Sequence, residues 1–382
     1  MGPAAQAGLD RAPPGRVSGT TPARPSLTDL PLDAFEPLAE ELGEKRFAGR
    51  NLARWVFERR VHDWDAMSDL SKRFRTALAE RFVVRRTVVA ADRADPGGTR
   101  AFVLRLADGR SIETVLIPEE ERRTVCVSTQ VGCPVACVFC ASGLDGLLRN
   151  LTAGEIVEQV MTVQDVLPAG ERVSNVVVMG IGEPTMNLTA LTQALSTWND
   201  PRGLGLGARR ITVSTVGWPA RIDRLAALDK EFGLAISLHA PRQELRQQLI
   251  PNGGQVPLAE LLAAAKRWFA RTGRRVTFEY VLIEGKNASP REAAELAALL
   301  RGFPCHVNLI PVNPVAGLPW QRPAPDAIDR FRAILLEAGL DATVRHPRGD
   351  GIAAACGQLR LEVERDAGTG AAVGRPPTTP PA

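Results

Sequence analysis

The chain has 382 residues, of which 45% are hydrophobic and 24% charged, the ordinary composition of a soluble globular enzyme with two or three domains. Six cysteines in a chain of this length do not form a disulfide scaffold, so we expect a protein of the reducing cytoplasm. No stretch approaches the roughly 18 uninterrupted apolar residues of a membrane helix, and the first residues lack a signal-peptide pattern, so no membrane partner is predicted.

The two ends of the chain are predicted to be disordered tails. Residues 1–26 are rich in Pro, Ala, Gly and Thr and lack hydrophobic periodicity, and residues 366–382 have a similar composition. Because such segments bury little apolar surface, we expect neither tail to carry the chemistry.

Residues 27–86 are predicted to form a basic helical domain. Hydrophobic residues at helical spacing are expected to form its core, namely Phe47, Leu52, Trp55, Val56, Phe57, Phe74, Leu78 and Phe82. Between residues 44 and 86 there are twelve Lys and Arg against six Asp and Glu, although the whole chain carries only +4. This concentration of charge fits binding to a phosphate backbone, and a solvated helical surface is the equal alternative.

Residues 87–122 change to the two-residue period of β-strands and are predicted to form a β-hairpin linker. Segments 87–90, 100–106 and 111–117 are predicted to be strands, separated by turns at 95–98 and 107–109, of which Asp108-Gly109 is a hairpin signal. Glu113 lies on the second strand of the hairpin, which leads directly into a cysteine-rich segment.

Residues 123–345 alternate between strands and helices. Six strands are predicted at 124–128, 174–179, 209–215, 233–238, 275–283 and 306–311, and six helices at 153–166, 188–198, 219–229, 257–271, 290–301 and 325–338. This alternation predicts an α/β fold with a parallel sheet, either doubly wound or curled toward a barrel.

Three cysteines follow the first of these strands at the spacing C-x3-C-x2-C, at Cys133, Cys137 and Cys140. A loop this short can direct three thiolates at one centre, and thiolates select iron–sulfur clusters, zinc or copper(I). Three ligands on a four-iron cluster would leave one iron free to bind another molecule. A structural zinc site is the alternative, although it usually takes four ligands, commonly from a second C-x2-C pair that this chain lacks.

Small or polar residues follow four of the other strands. They are Gly180, Gly182 and Glu183 after the second strand, Ser214 after the third, Ser237 and His239 after the fourth, and Asn313 after the sixth. Each alone has an ordinary explanation as a turn, a helix cap or a hydrogen-bonded core residue. Because α/β folds place their sites at the carboxyl ends of strands, we expect these residues to share one ligand site with the cysteines.

These motifs together resemble the radical S-adenosylmethionine (SAM) superfamily, and more narrowly its RlmN/Cfr adenine-C2 methyltransferases. The similarity rests on the Cys-Val-Ser-Thr-Gln-Val-Gly-Cys segment at 126–133, on Gly-x-Gly-Glu-Pro ending at Pro184, on Ile-Ser-Leu-His-Ala-Pro around His239, and on Ala-Ala-Cys-Gly-Gln-Leu around Cys356. It extends over about residues 27–360, and the basic N-terminal domain fits the RlmN branch. The resemblance implies a partial (β/α)6 radical-SAM barrel at 123–345, with the N-terminal helical domain and the β-hairpin extension.

The resemblance implies a 4Fe–4S cluster held by Cys133, Cys137 and Cys140, with SAM at the free iron and two SAM molecules used per turnover. The family's SAM-contacting positions match Gly182, Glu183, Ser214, Ser237, Leu238, His239 and Asn313. The electron would come from a donor such as flavodoxin or ferredoxin, and we expect a monomer.

A methyl carrier is also implied. One SAM would methylate the sulfur of Cys356, in a C-terminal loop at 346–365, and a radical from the second SAM would activate that methyl group for addition to adenine C2. Glu113 matches the family's proposed base for the C2 proton. Cys126 matches the residue that would attack Cys356, forming a transient disulfide and releasing the base. The implied substrates are adenine 2503 of 23S rRNA and adenine 37 of tRNA.

This sequence departs from the family pattern at two places. Acids are missing from the C-terminal loop at Gly351 and Ala353, and a leucine stands where an aromatic residue precedes Arg149. Cys305 matches no role and is expected to pack in the core. The alternative functions are a radical SAM enzyme acting on another RNA substrate or position, and a non-catalytic, zinc-stabilised RNA-binding protein.

Overall fold

The structure is a computed structural model, and it describes residues 24–315, 317–345, 359–360 and 362–363. All structural statements below concern these residues. Cys356 and most of the two predicted tails lie outside them.

The N-terminal region contains three α-helices, α1 (Phe35–Glu41), α2 (Arg46–Ala53) and α3 (Lys72–Arg81), and α2 continues as a π-helical turn over Arg54–Glu58. The predicted core residues are buried, with one exception. The prediction for Phe47 is wrong, because its side chain is 49% exposed. Phe47 precedes buried Leu52 by five residues, which places the two side chains about 140° apart around the helix axis.

Twelve strands form two sheets. The bounds are β1 (Val88–Ala94), β2 (Arg100–Arg105), β3 (Ser111–Pro118), β4 (Arg123–Cys126), β5 (Gln130–Gly132), β6 (Leu147–Asn150), β7 (Asn175–Val178), β8 (Ile211–Thr215), β9 (Gly233–Ser237), β10 (Val276–Leu282), β11 (Cys305–Pro311) and β12 (Asp341–Val344). Ten of them lie in one sheet of order β1-β2-β3-β4-β7-β8-β9-β10-β11-β12, and β5 pairs with β6 in a small second sheet.

The strands from β4 to β12 in the large sheet are mutually parallel, whereas β1 to β4 pair antiparallel. The connecting helices are α4 (Ala153–Val166), α5 (Leu188–Asn199), α6 (Pro219–Ala226), α7 (Gln243–Leu249), α8 (Leu258–Thr272), α9 (Pro290–Leu300) and α10 (Pro325–Glu337). The predicted partial (β/α)6 barrel is therefore confirmed, with β12 added after the sixth unit. The extension has the three predicted strands, β1 to β3, and it continues the barrel sheet through the β3–β4 pair.

One buried carboxylate joins the N-terminal helices to the barrel. Glu158 on α4 is fully buried, and its Oε1 accepts hydrogen bonds from Ser26 Oγ (2.9 Å) and Thr28 Oγ1 (2.5 Å). Its Oε2 accepts from the backbone N–H groups of Arg86 (3.0 Å) and Thr87 (2.7 Å). Both ends of the N-terminal region are thus tied to the first barrel helix.

The main hydrophobic core runs continuously from the N-terminal helices through the barrel. Cys305 is buried in it, so the packing role expected for this cysteine is confirmed. No helix among the described residues is both long and apolar enough to cross a lipid bilayer.

Candidate active site

A cavity of about 140 Å³ lies at the carboxyl ends of β7, β8 and β9 and is bordered by the cysteine segment. Its lining includes eight of the predicted site residues: Cys133, Cys137, Cys140, Gly182, Glu183, Ser214, Ser237 and His239. The expected convergence of strand ends and cysteines is therefore present in the structure. The reason is topological, because neighbouring parallel strands all end at the same edge of the sheet.

The cysteine loop, residues 133–140, is the beginning of the connection between β5 and β6. The N–H of Cys133 donates to Gly146 O (2.9 Å), which closes the hairpin at its base. On its other side the loop is held by the barrel, since Val138 N donates to Leu249 O (3.1 Å) and Trp320 Nε1 donates to Val138 O (2.7 Å). These contacts hold the loop over the cavity.

The thiols of the cysteine loop are crowded and poorly solvated. Burial raises the pKa of Cys133 to about 12, with the neighbouring Cys140 and Glu183 adding to the effect. Burial also raises the pKa of Cys137 well above its usual range, and the two other thiols contribute. A bound cation reverses this preference, because metal coordination deprotonates thiols.

The donor set fits an iron–sulfur cluster. Three soft ligands border one cavity that also contains a buried carboxylate, a hydroxyl pair and an imidazole. Among the described residues, no three His, Cys, Asp or Glu side chains could together hold a single metal ion. A four-iron cluster does not require such convergence, because each cysteine binds a different iron.

The Gly-x-Gly-Glu segment after β7 is hydrogen-bonded to residues 128–130, which precede the cysteine loop in sequence. Ile181 N donates to Ser128 Oγ (3.0 Å), and Glu183 N donates to Gln130 Oε1 (2.8 Å). Gly182 has φ +110°, and a Cβ there would lie 2.7 Å from the Gln130 Cβ. Glycine is therefore required at this position both for its conformation and for the close approach of Gln130.

Glu183 is a buried carboxylate at the centre of the strand ends. Its Oε1 accepts from Thr185 N (3.0 Å) and Thr185 Oγ1 (2.6 Å), and its Oε2 accepts from Val216 N (2.9 Å). Burial raises the pKa of this carboxyl, and these hydrogen bonds partly offset the effect. Glu183 thus connects the ends of β7 and β8 while also bordering the cavity.

His239 is a buried neutral imidazole with a defined tautomer. Its Nδ1 accepts a hydrogen bond from Val281 N (3.0 Å), so the ring proton lies on Nε2 and is available for donation. Burial lowers the pKa of His239 to about 3, and the positive charge of Arg246 adds to this. The ring of Phe139 packs edge-on against it, with the centroids 5.0 Å apart.

Two predicted SAM-contacting residues do not border this cavity. Leu238 is fully buried in the main core, so its backbone is the part available to a ligand. The Asn313 side chain accepts a hydrogen bond from Arg322 Nη2 (2.6 Å), in the segment that follows β11. The sequence could not show this, because a residue two positions after a strand can turn toward the site or away from it.

Glu113 and Cys126 lie on adjacent strands of the extension and the barrel. Cys126 on β4 is opposite Val115 of β3 and Val177 of β7, and Thr114 Oγ1 donates to the Cys126 carbonyl (2.8 Å). Cys126 is buried in a small apolar cluster that also contains Leu359. Arg360 N donates to Glu113 Oε2 (3.2 Å). Cys356 itself lies outside the described residues.

Three residues of this region were missed from the sequence. Gln130 supports Gly182 and Glu183, as described above. Asn287 is fully buried, and its Nδ2 donates to His239 O (2.8 Å) and Val281 O (2.6 Å). Arg246 on α7 is fully buried beside the strand ends. The one sequence signal for a role of Arg246 was its place between Leu245 and Leu249 on the buried side of a helix. Gln130 and Asn287 had no such signal.

Two family models match the chain. The ribosomal RNA large subunit methyltransferase N-terminal domain matches residues 26–84, and the radical SAM superfamily matches residues 127–297. Membership in the latter implies a 4Fe–4S cluster and SAM.

Relatives align with nearly the whole chain. It is 46% identical over 341 residues to a probable dual-specificity RNA methyltransferase RlmN of Rhodopirellula baltica, covering 89% of this chain and 92% of the relative. The dual-specificity RNA methyltransferase RlmN of Marinobacter nauticus is 44% identical over 345 residues, covering 89% and 93%. A crystal structure of a radical SAM methyltransferase from Sphaerobacter thermophilus superposes with a TM-score of 0.85 at 46% identity, covering 87% of this chain and 98% of that one. The chain therefore belongs to the RlmN family of radical SAM RNA methyltransferases.

Proposed function

We propose that this enzyme methylates C2 of adenine in RNA, at adenine 2503 of 23S rRNA and adenine 37 of tRNA. The names of its relatives support RNA as the substrate and two specificities. Adenine C2 lies between two ring nitrogens and is electron-poor, so it is a poor nucleophile for direct methyl transfer from SAM. A radical route, which the superfamily supplies, overcomes this difficulty.

The observation that carries the proposal is the position of the C-terminal segment. Leu359 is fully buried in the same small cluster as Cys126, and Arg360 N contacts the Glu113 carboxylate. Cys356 precedes Leu359 by three residues, and three residues of extended chain span at most about 11 Å. This short spacing in sequence supports the proposed pairing of Cys356 with Cys126 and Glu113.

In this proposal Cys133, Cys137 and Cys140 would hold the 4Fe–4S cluster and leave one iron available to SAM. When bound, the cluster supplies the electron that cleaves SAM to a radical. Glu183 offers a carboxylate to the SAM ammonium group, and a bound cation there would offset the burial that raises the carboxyl pKa. His239 offers its Nε2–H as a donor, and Gly182 leaves room at the cavity wall.

Three residues of the chain carry the methyl transfer itself. The Cys356 sulfur would take a methyl group from the first SAM by direct displacement, with S-adenosylhomocysteine as the leaving group. The radical from the second SAM would remove one hydrogen atom from that methyl group, and its carbon would then bond to adenine C2. The resulting adduct would lose one electron, which the cluster would take back, and the C2 proton. Glu113, buried on β3, accepts the proton that leaves C2. Cys126 attacks the Cys356 sulfur, which releases the methylated base and leaves a Cys126–Cys356 disulfide that must be reduced before the next turnover.

The N-terminal helices supply the RNA-binding charge in this proposal. Eight of the twelve basic residues counted between 44 and 86 form ion pairs with acids, which lowers their availability to phosphates. Within the described part of the chain, Lys45, Arg59, Lys72 and Arg73 have no acidic partner, and Arg59 lies over the Trp55 ring at 4.0 Å. We propose that Lys45, Lys72 and Arg73 contact the RNA backbone.

The decisive experiment is mass spectrometry of the purified protein and of its RNA. We expect a methyl group on the peptide containing Cys356, and a covalent protein–RNA adduct that accumulates in the Cys126→Ala variant. Cys305→Ala is the matched control, because Cys305 is buried in the core away from the site. An unmodified Cys356 together with normal turnover by Cys356→Ala would rule the proposal out.

We further propose that the enzyme works in the cytoplasm as a monomer and takes its electron from a flavodoxin or ferredoxin. A reducing compartment is required because the Cys126–Cys356 disulfide must be reopened at each cycle. Sedimentation of the cluster-loaded protein tests the monomer, and reduction by each purified donor tests the electron source.

A further inference from the structure

Arg246 is a buried guanidinium with no acidic partner among the described residues. It lies on α7 with no exposed surface, and none of the described acidic side chains contributes to its electrostatic environment. A buried arginine usually forms an ion pair, since an isolated buried charge is costly. The cost of burying the Arg246 charge must therefore be offset by interactions other than an ion pair.

The hydrogen bonds of Arg246 compensate only in part. Nη1 donates to Gly253 O (3.1 Å), and Nη2 donates to Val216 O (2.5 Å) and Ser237 O (3.4 Å). Val216 directly follows β8, Ser237 is the last residue of β9, and both border the cavity. The buried Nε has no hydrogen-bond partner. The carbonyl groups solvate the guanidinium but carry no net charge.

The charge that interacts with Arg246 is that of the cysteine loop. The loop is bonded to the helix that carries Arg246, since Val138 N donates to Leu249 O at the end of α7 (3.1 Å). Val216 and Ser237, whose carbonyl groups accept from Arg246, border one cavity together with the three cysteines. Three thiolates on a 4Fe–4S cluster with an oxidised core charge of about +2 give a net charge of about −1, and reduction by one electron gives about −2. Arg246 thus faces a group that becomes more negative on reduction.

We propose that Arg246 is a positioning residue that acts as the buried counter-charge of the cluster and raises its reduction potential. This inference rests on the assignment of Cys133, Cys137 and Cys140 to the cluster. Because the guanidinium stays protonated at any physiological pH, the electrostatic stabilisation is permanent. It favours the reduced cluster, whose negative charge is larger, over the oxidised one.

The test is an equilibrium redox titration of anaerobically reconstituted protein, followed by the electron paramagnetic resonance signal of the reduced cluster. Arg246→Gln keeps an N–H donor for the carbonyl groups but removes the charge. At the wild-type midpoint potential we expect its ratio of reduced to oxidised cluster to fall about tenfold, a shift of about 59 mV for one electron. Arg246→Lys keeps the charge and should change the ratio by less than about threefold.

Three outcomes would contradict the inference: an unchanged midpoint in Arg246→Gln, an equal shift in both variants, or a shift to higher potential. If Arg246→Gln does not load iron, thermal unfolding of its apo-protein decides. If the variant apo-protein unfolds near the temperature of the wild-type apo-protein, the result supports the role of Arg246 as a counter-charge. If it is much less stable, the hydrogen bonds of Arg246 to the carbonyl groups are needed for folding, and the inference is contradicted. A wild-type protein that loads no cluster would instead refute the cysteine assignment.

Discussion

Glu158 is a fully buried carboxylate at the junction between the N-terminal helices and the barrel, so Glu158→Ala should be strongly destabilising. The change removes the acceptor for four hydrogen bonds at a position with no exposed surface. It also leaves a small cavity in α4 where the side chain was.

The magnitude follows from which donors can find another partner. Ser26 Oγ already donates to Val84 O (3.0 Å), so the hydroxyls can turn to other acceptors at little cost. The backbone N–H groups of Arg86 and Thr87 are fixed by the chain, and each buried, unpaired donor costs about 1–3 kcal/mol. With the cavity included, we expect the free energy of unfolding to fall by about 3–5 kcal/mol.

Urea unfolding measures this loss, and hydrogen exchange of the backbone amides of Arg86 and Thr87 locates it. Glu158→Gln should cost only about 1–2 kcal/mol, because the amide oxygen accepts the two N–H groups and the amide nitrogen donates to the two hydroxyls. Glu80→Ala, an exposed position on α3, is the control. The explanation is wrong if Glu158→Ala is no more destabilising than Glu80→Ala, or if amide exchange at 86 and 87 does not accelerate.

Three further predictions concern the site and the RNA. The stability of the apo-protein should fall as the pH decreases from about 6.5 to about 3, because His239 becomes protonated in the unfolded chain while its pKa in the folded protein is about 3. The free energy of unfolding in urea should depend less steeply on pH in His239→Gln than in the wild type, and parallel pH dependences would refute the assignment. Leu359→Ala removes a fully buried side chain from the cluster that contains Cys126 and should weaken docking of the C-terminal segment by about 2–5 kcal/mol. Peptide mapping after oxidation should then find slower Cys126–Cys356 disulfide formation than in Leu336→Ala, an exposed position on α10, and equal rates would contradict the proposed proximity. The double substitution Lys72→Glu and Arg73→Glu should lower RNA affinity and reduce the salt dependence of binding by about one counterion per lost phosphate contact. Arg81→Gln is the control, because Arg81 on the same helix is already paired with Glu41 at 2.7 Å, and it should change neither the affinity nor the salt dependence. Equal losses of affinity in the double variant and the control would point to a general charge effect.

Much of the candidate site could be read from local patterns. The spacing of Cys133, Cys137 and Cys140 restricts three thiols to one short loop, and the alternation of strands and helices predicted that residues after several strands share one edge. Both are local properties of the chain, and the structure places eight of the predicted residues around a single cavity. The positions of Leu238 and Asn313 were less predictable, since each depends on how a strand end packs against its neighbours.

Elements with weak local signals were the ones that the sequence missed. α7 has only seven residues, and β12 only four. Short elements owe their stability to tertiary packing, because a single helical turn or an isolated strand is marginal alone. The small β5–β6 sheet, which supports the cysteine loop, was not predicted either, because its strands have only three and four residues.

The sequence by itself determined the fold class, the family and the ligand chemistry of this protein, because these depend on residue types and spacings along the chain. Only the tertiary structure decided which charges are paired, that Phe47 is exposed, that Arg246 is buried at the strand ends, and that Leu359 and Cys126 belong to one apolar cluster. Burial and pairing arise from contacts between residues that are far apart in sequence. Cys126 and Leu359 are separated by most of the barrel in sequence, and they share one apolar cluster because Leu359 packs on side chains of β2, β3 and β4.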